Sequence, residues 1–319
     1  MERTLTITAK EAASVSQLLL SQAGLSRKQI SQAKFRPGGI QKNGRQCRVT
    51  ETVHPGDRIT VCLEDASSCS GHLAPPPEAL PPIQALYEDQ DLLAVNKPAG
   101  IVTHPSGSHY SDSLSNQVFW YFASRGENVR IRSVGRLDKE TSGIVIFAKN
   151  QPAAARLQAQ RSTKTFRKEY LAVVSGYLPE DGWHTISFPI GPDPTDPLHI
   201  KMSAHMGLAW DSSLSESFPA GKAAITHYQV LYSTSGWSLV NLRLETGRTH
   251  QIRVHMKAIG HPLLGDTLYG APGPVPAPFS FSRAALHAWR VTLLNPFTNR
   301  KIHLQTELPE DFKWLSYTL

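Results

Sequence analysis

The sequence has little cysteine and no long apolar segment. Its 319 residues include three cysteines, Cys47, Cys62 and Cys69, and no C-x-x-C pair. An odd number of cysteines cannot close a complete disulfide framework, which favours a reducing compartment. No apolar run approaches the roughly 18–20 residues of a membrane-spanning helix. Lys10 and Glu11 interrupt the apolar core that a signal peptide would need. We therefore expect a protein of the cytoplasm.

Motifs for metals and nucleotide cofactors are also missing. The sequence contains neither G-x-x-x-x-G-K-S/T nor G-x-G-x-x-G, the glycine-rich loops that hold the phosphates of nucleotides. His250, His255 and His261 are five and six residues apart, whereas two imidazoles share one face of a helix at a spacing of about four. We expect no metal ion and no cofactor.

The charge of the chain favours a polyanionic partner. The formal net charge is +7, and Lys and Arg side chains that neutralise phosphates release counterions when nucleic acid binds. Between residues 27 and 48 there are seven basic residues and no acidic one: Arg27, Lys28, Lys34, Arg36, Lys42, Arg45 and Arg48. Such a run repels itself unless an anion lies across it, although a merely solvated face is the alternative. We predict an RNA-binding surface here, with Arg27, Lys28 and Lys34 among its contacts.

Length and composition predict two domains joined by a linker. A chain of 319 residues is long for one compact domain. Residues 1–64 combine two short helices, broken at Gly24, with a turn-rich segment and a strand, which predicts a small α/β domain. Residues 65–82 are rich in Ser and Pro and form the predicted linker. Residues 83–319 alternate strand-like and helix-like segments, with a long Pro- and Ser-rich loop at 191–221.

One polar turn in the larger domain is a candidate for the chemistry. Residues 134–148 read V-G-R-L-D-K-E-T-S-G-I-V-I-F-A. The apolar, β-branched run at 144–148 is typical of a strand covered on both faces, so a rigid element holds the turn before it. Arg136 and Asp138 are thereby placed for binding or catalysis. The alternative is that they only cap or bridge the turn.

A second segment combines the end of a strand with the start of a basic helix. Residues 244–255 read L-E-T-G-R-T-H-Q-I-R-V-H, and a helix can begin near Thr249. A helix start that carries Arg and His beside a strand end is a natural anion site. Arg248, His250 and Arg253 are therefore candidates for binding, while an amphipathic helix with a basic outer face is the plainer alternative.

Two further segments place a tyrosine and a lysine at strands. The run at 170–175 is typical of a strand, in which Tyr170 would ordinarily be a core aromatic. The predicted strand at 92–95 ends at the turn N-K-P-A-G, which contains Lys97. The pattern alone assigns neither side chain to catalysis.

Together these segments resemble the RluA-type pseudouridine synthases. G-R-L-D-K-E-T-S-G is similar to the family signature H-R-L-D-x-x-T-S-G, with Gly135 in place of the usual His. T-G-R-T-H-Q-I-R-V-H matches a second family motif, and the segment around Tyr170 resembles K-x-Y-L-A-x-V-x-G. The resemblance implies that Asp138 is the catalytic residue, that Arg253 pairs with it, and that Tyr170 contacts the target uracil.

The resemblance also sets expectations for the geometry of the site. A bidentate fork from Arg253 would keep Asp138 ionised and fix the direction of its carboxylate. Tyr170 would stack on the base and assist removal of a proton. Arg136, Arg248 and His250 would contact the RNA substrate.

For the fold, the resemblance implies an α+β architecture. The larger domain is expected to be a mixed, largely antiparallel sheet flanked by helices and loops, with the active cleft across it. Its N-K-P-A-G turn matches another family motif, so Lys97 is expected to be structural or to contact RNA. The small domain resembles the S4 RNA-binding domain, best at residues 54–59, H-P-G-D-R-I.

The predicted function is the isomerisation of specific uridines to pseudouridine in structured RNA, ribosomal rather than transfer RNA, by a monomer. Asp138 would act as a nucleophile or as a base, and Arg136 would fill the space that an extruded nucleotide leaves or hold its phosphate. Two alternatives stay open. One is an inactive RNA-binding factor that assists RNA folding. The other is a hydrolase in which Asp138 and Glu140 form a carboxylate pair on one face of an extended segment.

Overall fold

The structure, a computed structural model, describes residues 4–62, 73–78, 80–198, 200–204, 221–270, 275 and 279–317. Residues 4–62 form a small α/β unit with a core of its own. The part of the chain that follows is built on a ten-stranded sheet. None of the helices in these ranges has the length and apolar character that a membrane span requires.

The small unit contains two helices and two short sheets. Its helices are α1 (Val15–Ser21) and α2 (Arg27–Lys34). Its strands are β1 (Thr4–Thr8), β2 (Ala13–Ser14), β3 (Ile40–Lys42), β4 (Arg45–Gln46), β5 (Thr52–Val53) and β6 (Arg58–Cys62). The larger sheet has the order β1-β6-β3-β4, and β2 pairs with β5.

Both helices of this unit begin at a serine cap. Ser14 and Ser26 each accept a hydrogen bond from the backbone N–H three residues on, and the Gln at that position, Gln17 or Gln29, bonds back to the cap. This reciprocal pairing satisfies two N–H groups that a helix start otherwise leaves without partners. Gly24 has φ of +63°, a conformation that favours glycine. The predicted break between the two helices at this glycine is confirmed.

The large sheet carries the rest of the architecture. Its strands follow the order β12-β15-β16-β11-β17-β10-β8-β7, with β18 paired to β17 and β9 paired to β10. The bounds are β7 (Gln84–Glu88), β8 (Leu92–Lys97), β9 (Arg132–Ser133), β10 (Ser142–Ala148), β11 (Arg167–Ser175), β12 (Trp183–Ile186), β15 (Thr226–Ser233), β16 (Trp237–Leu244), β17 (Leu286–Leu294) and β18 (Lys301–Gln305). The pair of β10 with β17 is parallel and the other pairs in this sheet are antiparallel. The predicted mixed, largely antiparallel α+β fold is confirmed.

Three helices and a 3-10 helix cover this sheet. They are α3 (Leu114–Ala123), α4 (Gln151–Ser162), α5 (Gln251–Ala258) and the 3-10 helix Glu310–Tyr317. One apolar cluster joins α3 and α5 to one face of the sheet, and a second joins α4 to the opposite face of β10. Every residue of β10 is buried, so the prediction of a strand covered on both faces is confirmed.

Two predicted irregular segments have more structure than expected. In the predicted 65–82 linker, residues 65–72 and 79 lie outside the described part, but Ala74 and Pro81 accept hydrogen bonds from side chains of α3, at 2.9 and 3.0 Å. In the predicted 191–221 loop, β13 (Ile190–Pro192) pairs with β14 (Met202–Ala204). Residues 199 and 205–220 of that loop lie outside the described part.

Candidate active site

The turn that carries Asp138 is held from both sides. It lies between β9 and β10, and the peptide just before Asp138 is fixed because Leu137 N–H donates to Thr103 Oγ1 at 3.1 Å while that hydroxyl donates to the Leu137 carbonyl at 2.8 Å. Thr141 N–H donates to the Asp138 carbonyl at 3.2 Å. The Asp138 side chain itself is 19% exposed. The backbone is thus rigid around a carboxylate that solvent or substrate can reach.

Lys97 lies beneath this turn and supports it. Its side chain is fully buried, and Nζ donates to the carbonyls of Pro98, Ile101 and Lys139 at 2.8, 2.7 and 3.1 Å. Burial lowers the pKa of Lys97 to about 7, against the opposing effect of the Asp138 charge. A buried lysine whose amine donates to three carbonyl groups stabilises the backbone around it. The expectation that Lys97 is structural fits this position, and the predicted RNA contact is wrong.

Glu140 points away from Asp138. Its carboxylate accepts a hydrogen bond from Ala284 N–H at 3.3 Å, and its carbonyl accepts one from Arg283 at 2.9 Å. Arg283 is in turn held by Asp311, at 2.7 and 2.9 Å. Glu140 is not among the residues that line the cavity beside Asp138. The predicted carboxylate pair is therefore wrong, and the hydrolase alternative loses its basis.

His287 fixes the start of β10 from the neighbouring strand. It is 1% exposed, and its Nδ1 lies 2.8 Å from Ser142 Oγ. Burial, with a smaller effect from the charge of Arg283, lowers its pKa from 6.5 to about 4. Between these two values the unfolded chain binds more protons than the native protein, so native stability is present above pH 6.5 and falls as the pH falls towards 4.

We expect His287→Gln to remove this part of the acid sensitivity. The wild type should lose up to about 1.4 kcal/mol of unfolding free energy per pH unit through this one group. The variant lacks that loss, so the stability difference between the two proteins should shrink as the pH is lowered. Urea unfolding of both proteins at several pH values in the window measures it. Contributions of other histidines cancel in the difference, and a difference independent of pH would contradict the prediction.

Arg253 lies in α5 and is 3% exposed. Its Nε and Nη2 donate to the two carboxylate oxygens of Asp266 at 2.7 and 2.6 Å, while its Nη1 lies 3.9 Å from Asp138 Oδ2. The bidentate partner is therefore Asp266, and the prediction of a bidentate fork to Asp138 is wrong. Asp138 interacts with the third guanidinium nitrogen only. Arg253 is also not on an outer basic face.

Asp266 is a residue of this site that the motifs did not reveal. It also accepts from the backbone N–H groups of Leu268 and Tyr269 at 2.9 and 3.0 Å. Burial alone would raise its pKa, but the hydrogen bonds and charge of Arg253 outweigh burial and lower the pKa below its ordinary value. A buried charge in this position fixes the guanidinium before any substrate binds.

Tyr170 lines the same cavity from β11. It is 7% exposed, and burial raises its pKa above the ordinary value. The phenol therefore stays protonated at neutral pH and offers a flat face and a hydrogen-bond donor. The predicted position beside Asp138 and Arg253 is found. The predicted help with proton removal is not supported, because a neutral phenol is a poor base.

The predicted RNA-contact residues fall into two groups. Arg136 and Arg248 are exposed and line the cavity, and Arg248 Nε donates to the Ala223 carbonyl at 2.9 Å. His250, at the start of α5, is half-buried and is not among the residues that line the cavity; it has φ of +55°, and its Nδ1 lies 2.8 Å from the Tyr269 hydroxyl. The predicted substrate contact of His250 stays a prediction, since the side chain is partly exposed and close enough to Asp138 for the carboxylate charge to oppose the lowering of its pKa by burial.

The predicted contacts on the small unit are surface residues. Arg27, Lys28 and Lys34 are exposed on α2. Lys42, which belongs to the same basic run, is already neutralised, since its Nζ lies 3.1 Å from Asp57 and 3.7 Å from Glu51. The basic residues of the run that remain available to bind an anion are therefore other ones, including those of α2.

One cavity brings these groups together. It has a volume of about 230 Å³, below the roughly 300–1,000 Å³ of pockets for drug-sized ligands, which suits a single nucleobase. The residues around it include Asp138, Tyr170, Arg253, Arg136, Arg248, Thr141, Arg161, Phe166, Lys168, Gly135, Gly247 and Leu286. In the ranges described, no group of three or more His, Cys, Asp or Glu side chains is arranged to hold a metal ion. A carboxylate held near a fixed guanidinium and beside a neutral phenol defines an enzyme site for a small, flat, polar unit.

Comparison with known proteins gives the class of this enzyme. Residues 91–258 match the family described as RNA pseudouridylate synthase. The chain is 37% identical over 271 residues to the RNA pseudouridine synthase YhcT of Bacillus subtilis, covering 83% of this chain and 80% of that protein. It is 34% identical over 291 residues to ribosomal large subunit pseudouridine synthase D of Pseudomonas aeruginosa, covering 88% and 84%. The chain belongs to the RNA pseudouridylate synthase family and is a pseudouridine synthase of the RluA type.

Solved structures agree with this assignment. The chain resembles human RNA pseudouridylate synthase domain containing 1 with a TM-score of 0.54 and 28% identity, over 73% of this chain and 86% of that one. It resembles human RNA pseudouridylate synthase domain containing 4 with a TM-score of 0.55 and 26% identity, over 72% and 90%. The predicted fold, family and enzyme class are confirmed.

Proposed function

We propose that this synthase isomerises specific uridines in structured ribosomal RNA, with Asp138 as the catalytic residue. The observation that carries the proposal is the approach of three side chains from distant parts of the chain to one cavity. Asp138 comes from a turn, Arg253 from α5 at 3.9 Å, and Tyr170 from β11. The groups of the predicted constellation thus stand together, although the bidentate partner of Arg253 differs from the one expected.

The reaction needs only groups that this cavity holds. The bond between ribose C1′ and uracil N1 breaks, the base turns, and C1′ joins C5, while C5 loses a proton and N1 gains one. Uridine and pseudouridine are isomers, so electrons and atoms balance without a donor. The Asp138 carboxylate acts on the nucleoside as a nucleophile or as a base. Tyr170 offers its ring as a surface for the base, and Arg253 keeps a positive charge beside the carboxylate throughout.

Access to the target requires extrusion of the nucleotide. A stacked uracil cannot reach a cavity of about 230 Å³, and flipping it out costs a few kcal/mol. Arg136 is exposed at the cavity, two residues before Asp138, where it can fill the vacated space or hold the phosphate of the flipped nucleotide. The cost of extrusion favours uridines in loops or weak helices.

The names of two relatives favour ribosomal RNA over transfer RNA as the substrate. Proteins of Pseudomonas aeruginosa and Nitrosomonas europaea that are 34% and 36% identical to this chain are named ribosomal large subunit pseudouridine synthase D. The test is incubation of the purified protein with unmodified ribosomal and transfer RNA transcripts, followed by carbodiimide mapping. We expect new modification sites in ribosomal RNA. Sites only in transfer RNA would overturn the choice of substrate, and no site in any RNA would favour the inactive RNA-folding factor.

We further propose an arrangement for RNA binding. Residues 1–64 act as an S4-like RNA-binding domain, joined by residues 65–82 to the catalytic domain at 83–319, and a monomer acts in the cytoplasm. The basic face of α2 and the separate core of the small unit support this division.

Neutralising single cations of α2 should reduce the salt dependence of RNA binding. Each of Arg27→Gln, Lys28→Gln and Lys34→Gln that removes a phosphate contact should lower the slope of log affinity against log salt by about 0.7–0.9. Filter binding of one structured RNA at several salt concentrations measures the slope. The rate of pseudouridine formation in the enzyme–RNA complex should not change. Lys313→Gln, an exposed position at the other end of the chain, is the control. Slopes equal to that of the control in all three variants would contradict the role of α2.

A further inference from the structure

Arg161 occupies a place that two glycines leave open. It lies in the last turn of α4 and lines the cavity. A Cβ atom added at Gly135 would lie 3.4 Å from Arg161 Nη1, and one added at Gly247 would lie 3.1 Å from Arg161 Nη2. Gly135 also has φ of +87°, which disfavours other residues. The guanidinium therefore rests between the turn that carries Asp138 and the turn that precedes α5.

This guanidinium has no acidic partner in the described part of the chain. The hydrogen bond that it makes there, to Gln158 Oε1, is 3.5 Å long, at the limit for such a bond. Glu245, an acidic residue of the same cavity wall, is held by Lys164 at 2.7 Å and His227 at 3.0 Å. An arginine at a cavity wall with unused donors is equipped to bind an anion from outside the protein.

Lys168 adds a second basic group to the same region. It lines the cavity from β11, and its Nζ donates to the Ile144 carbonyl at 3.1 Å. Burial, and then the charge of Arg161, lower the pKa of Lys168 to about 7. The charge of Arg161 thus disfavours the charged form of Lys168 in the same cavity. An anion bound beside both groups would offset this repulsion.

We propose that Arg161 binds a phosphodiester group of the RNA next to the extruded uridine. The planar fork of a guanidinium matches two phosphate oxygens, which an ammonium cannot do. In the family pattern the residue before Arg136 is His, whereas Gly135 here leaves the space that Arg161 fills. Arg161 is therefore a substrate contact supplied by α4, outside the motifs that identify the family. The inference rests on the cavity being the catalytic site, and it is independent of which RNA carries the target.

The test uses a short synthetic RNA that contains one mapped target uridine, with each flanking phosphate replaced in turn by an uncharged methylphosphonate. Arg161→Gln should weaken RNA binding by about ten- to a hundredfold, the range for a lost charge-assisted contact. One particular methylphosphonate should weaken binding to the wild type by a similar factor. The same replacement should have no further effect on Arg161→Gln, because the contact is already lost. The RNA affinity of Arg161→Lys should lie between that of the wild type and that of Arg161→Gln.

Two further variants separate this contact from a role in folding. Gly247→Ala keeps the charge but places a methyl group 3.1 Å from Arg161 Nη2, so the guanidinium must shift and binding should weaken less than in Arg161→Gln, with coupling to the same phosphate. Arg300→Gln, in the exposed turn before β18, should behave as the wild type at every phosphate. Two results would overturn the proposal. One is that Arg161→Gln binds RNA as tightly as the wild type; the other is that its loss of affinity adds to the loss caused by every methylphosphonate. The synthetic RNA carries whichever target uridine has been mapped, so activity on transfer RNA alone would overturn the ribosomal substrate while the coupling to one phosphate still decides the role of Arg161.

Discussion

Replacing Asp138 by Asn should reduce the single-turnover rate of pseudouridine formation by about 10³- to 10⁴-fold. The amide is the size of the carboxylate but can act neither as a nucleophile nor as a base. Asp138 has a side chain that is 19% exposed, and its nearest charged partner is 3.9 Å away. The variant should therefore fold with a melting temperature near that of the wild type and bind RNA about as well. Carbodiimide mapping at fixed times, with enzyme in excess over RNA, measures the rate.

Glu140→Gln is the matched control for this prediction. It removes the charge of a carboxylate two residues away that points to Ala284 instead of the cavity, and the amide oxygen can still accept that hydrogen bond. We expect its rate to stay near the wild-type value. A rate for Asp138→Asn close to that of Glu140→Gln would refute the assignment of catalysis to Asp138, whatever the remaining parts of the site do.

The sequence predicted those parts of the site that lie within continuous segments. The turn before β10 could be placed because the seven consecutive residues from Ser142 to Ala148 are buried in one strand. A strand covered on both faces appears in the sequence as a run of apolar residues. Arg253 and Tyr170 could be named because each lies in a motif that spans its own element. Local patterns of this kind follow from the period of a helix or a strand.

The residues that the sequence did not reveal act from outside the element that they support. Asp266 meets Arg253 from a turn beyond the end of α5, and Arg283 reaches Glu140 from a position 143 residues away. Each looks like an ordinary surface charge in the sequence, because nothing in its neighbours indicates burial. The predicted RNA contact of Lys97 was wrong for the same reason. Its place at a turn suggested exposure, whereas its pairing with Gly143 puts it inside the sheet.

Removing Asp266 should produce the largest loss of stability among the charged residues of the site. In Asp266→Ala, the Arg253 guanidinium is left buried without its bidentate partner, and two backbone N–H groups lose their acceptor. Breaking a buried ion pair on one side costs about 3–5 kcal/mol, because the remaining charge is desolvated without compensation. Urea unfolding, with the slope against urea unchanged, measures the loss. The rate of pseudouridine formation should also fall, because Asp266 no longer fixes the guanidinium that lies 3.9 Å from Asp138.

The pair of Arg243 and Glu169 is the matched control for this prediction. Its closest N–O distance, 2.6 Å, equals that of the Arg253–Asp266 pair, but its side chains are 41% and 18% exposed against 4% and 0%. Solvent screens an exposed pair, so Glu169→Ala should cost about 0–1 kcal/mol. Equal losses in the two variants would contradict the argument that burial, and not distance, sets the contribution of Asp266. If Asp266→Ala keeps both its stability and its rate of pseudouridine formation, catalysis by Asp138 does not depend on a guanidinium that Asp266 fixes. The turn that carries Asp138 must then position the carboxylate alone.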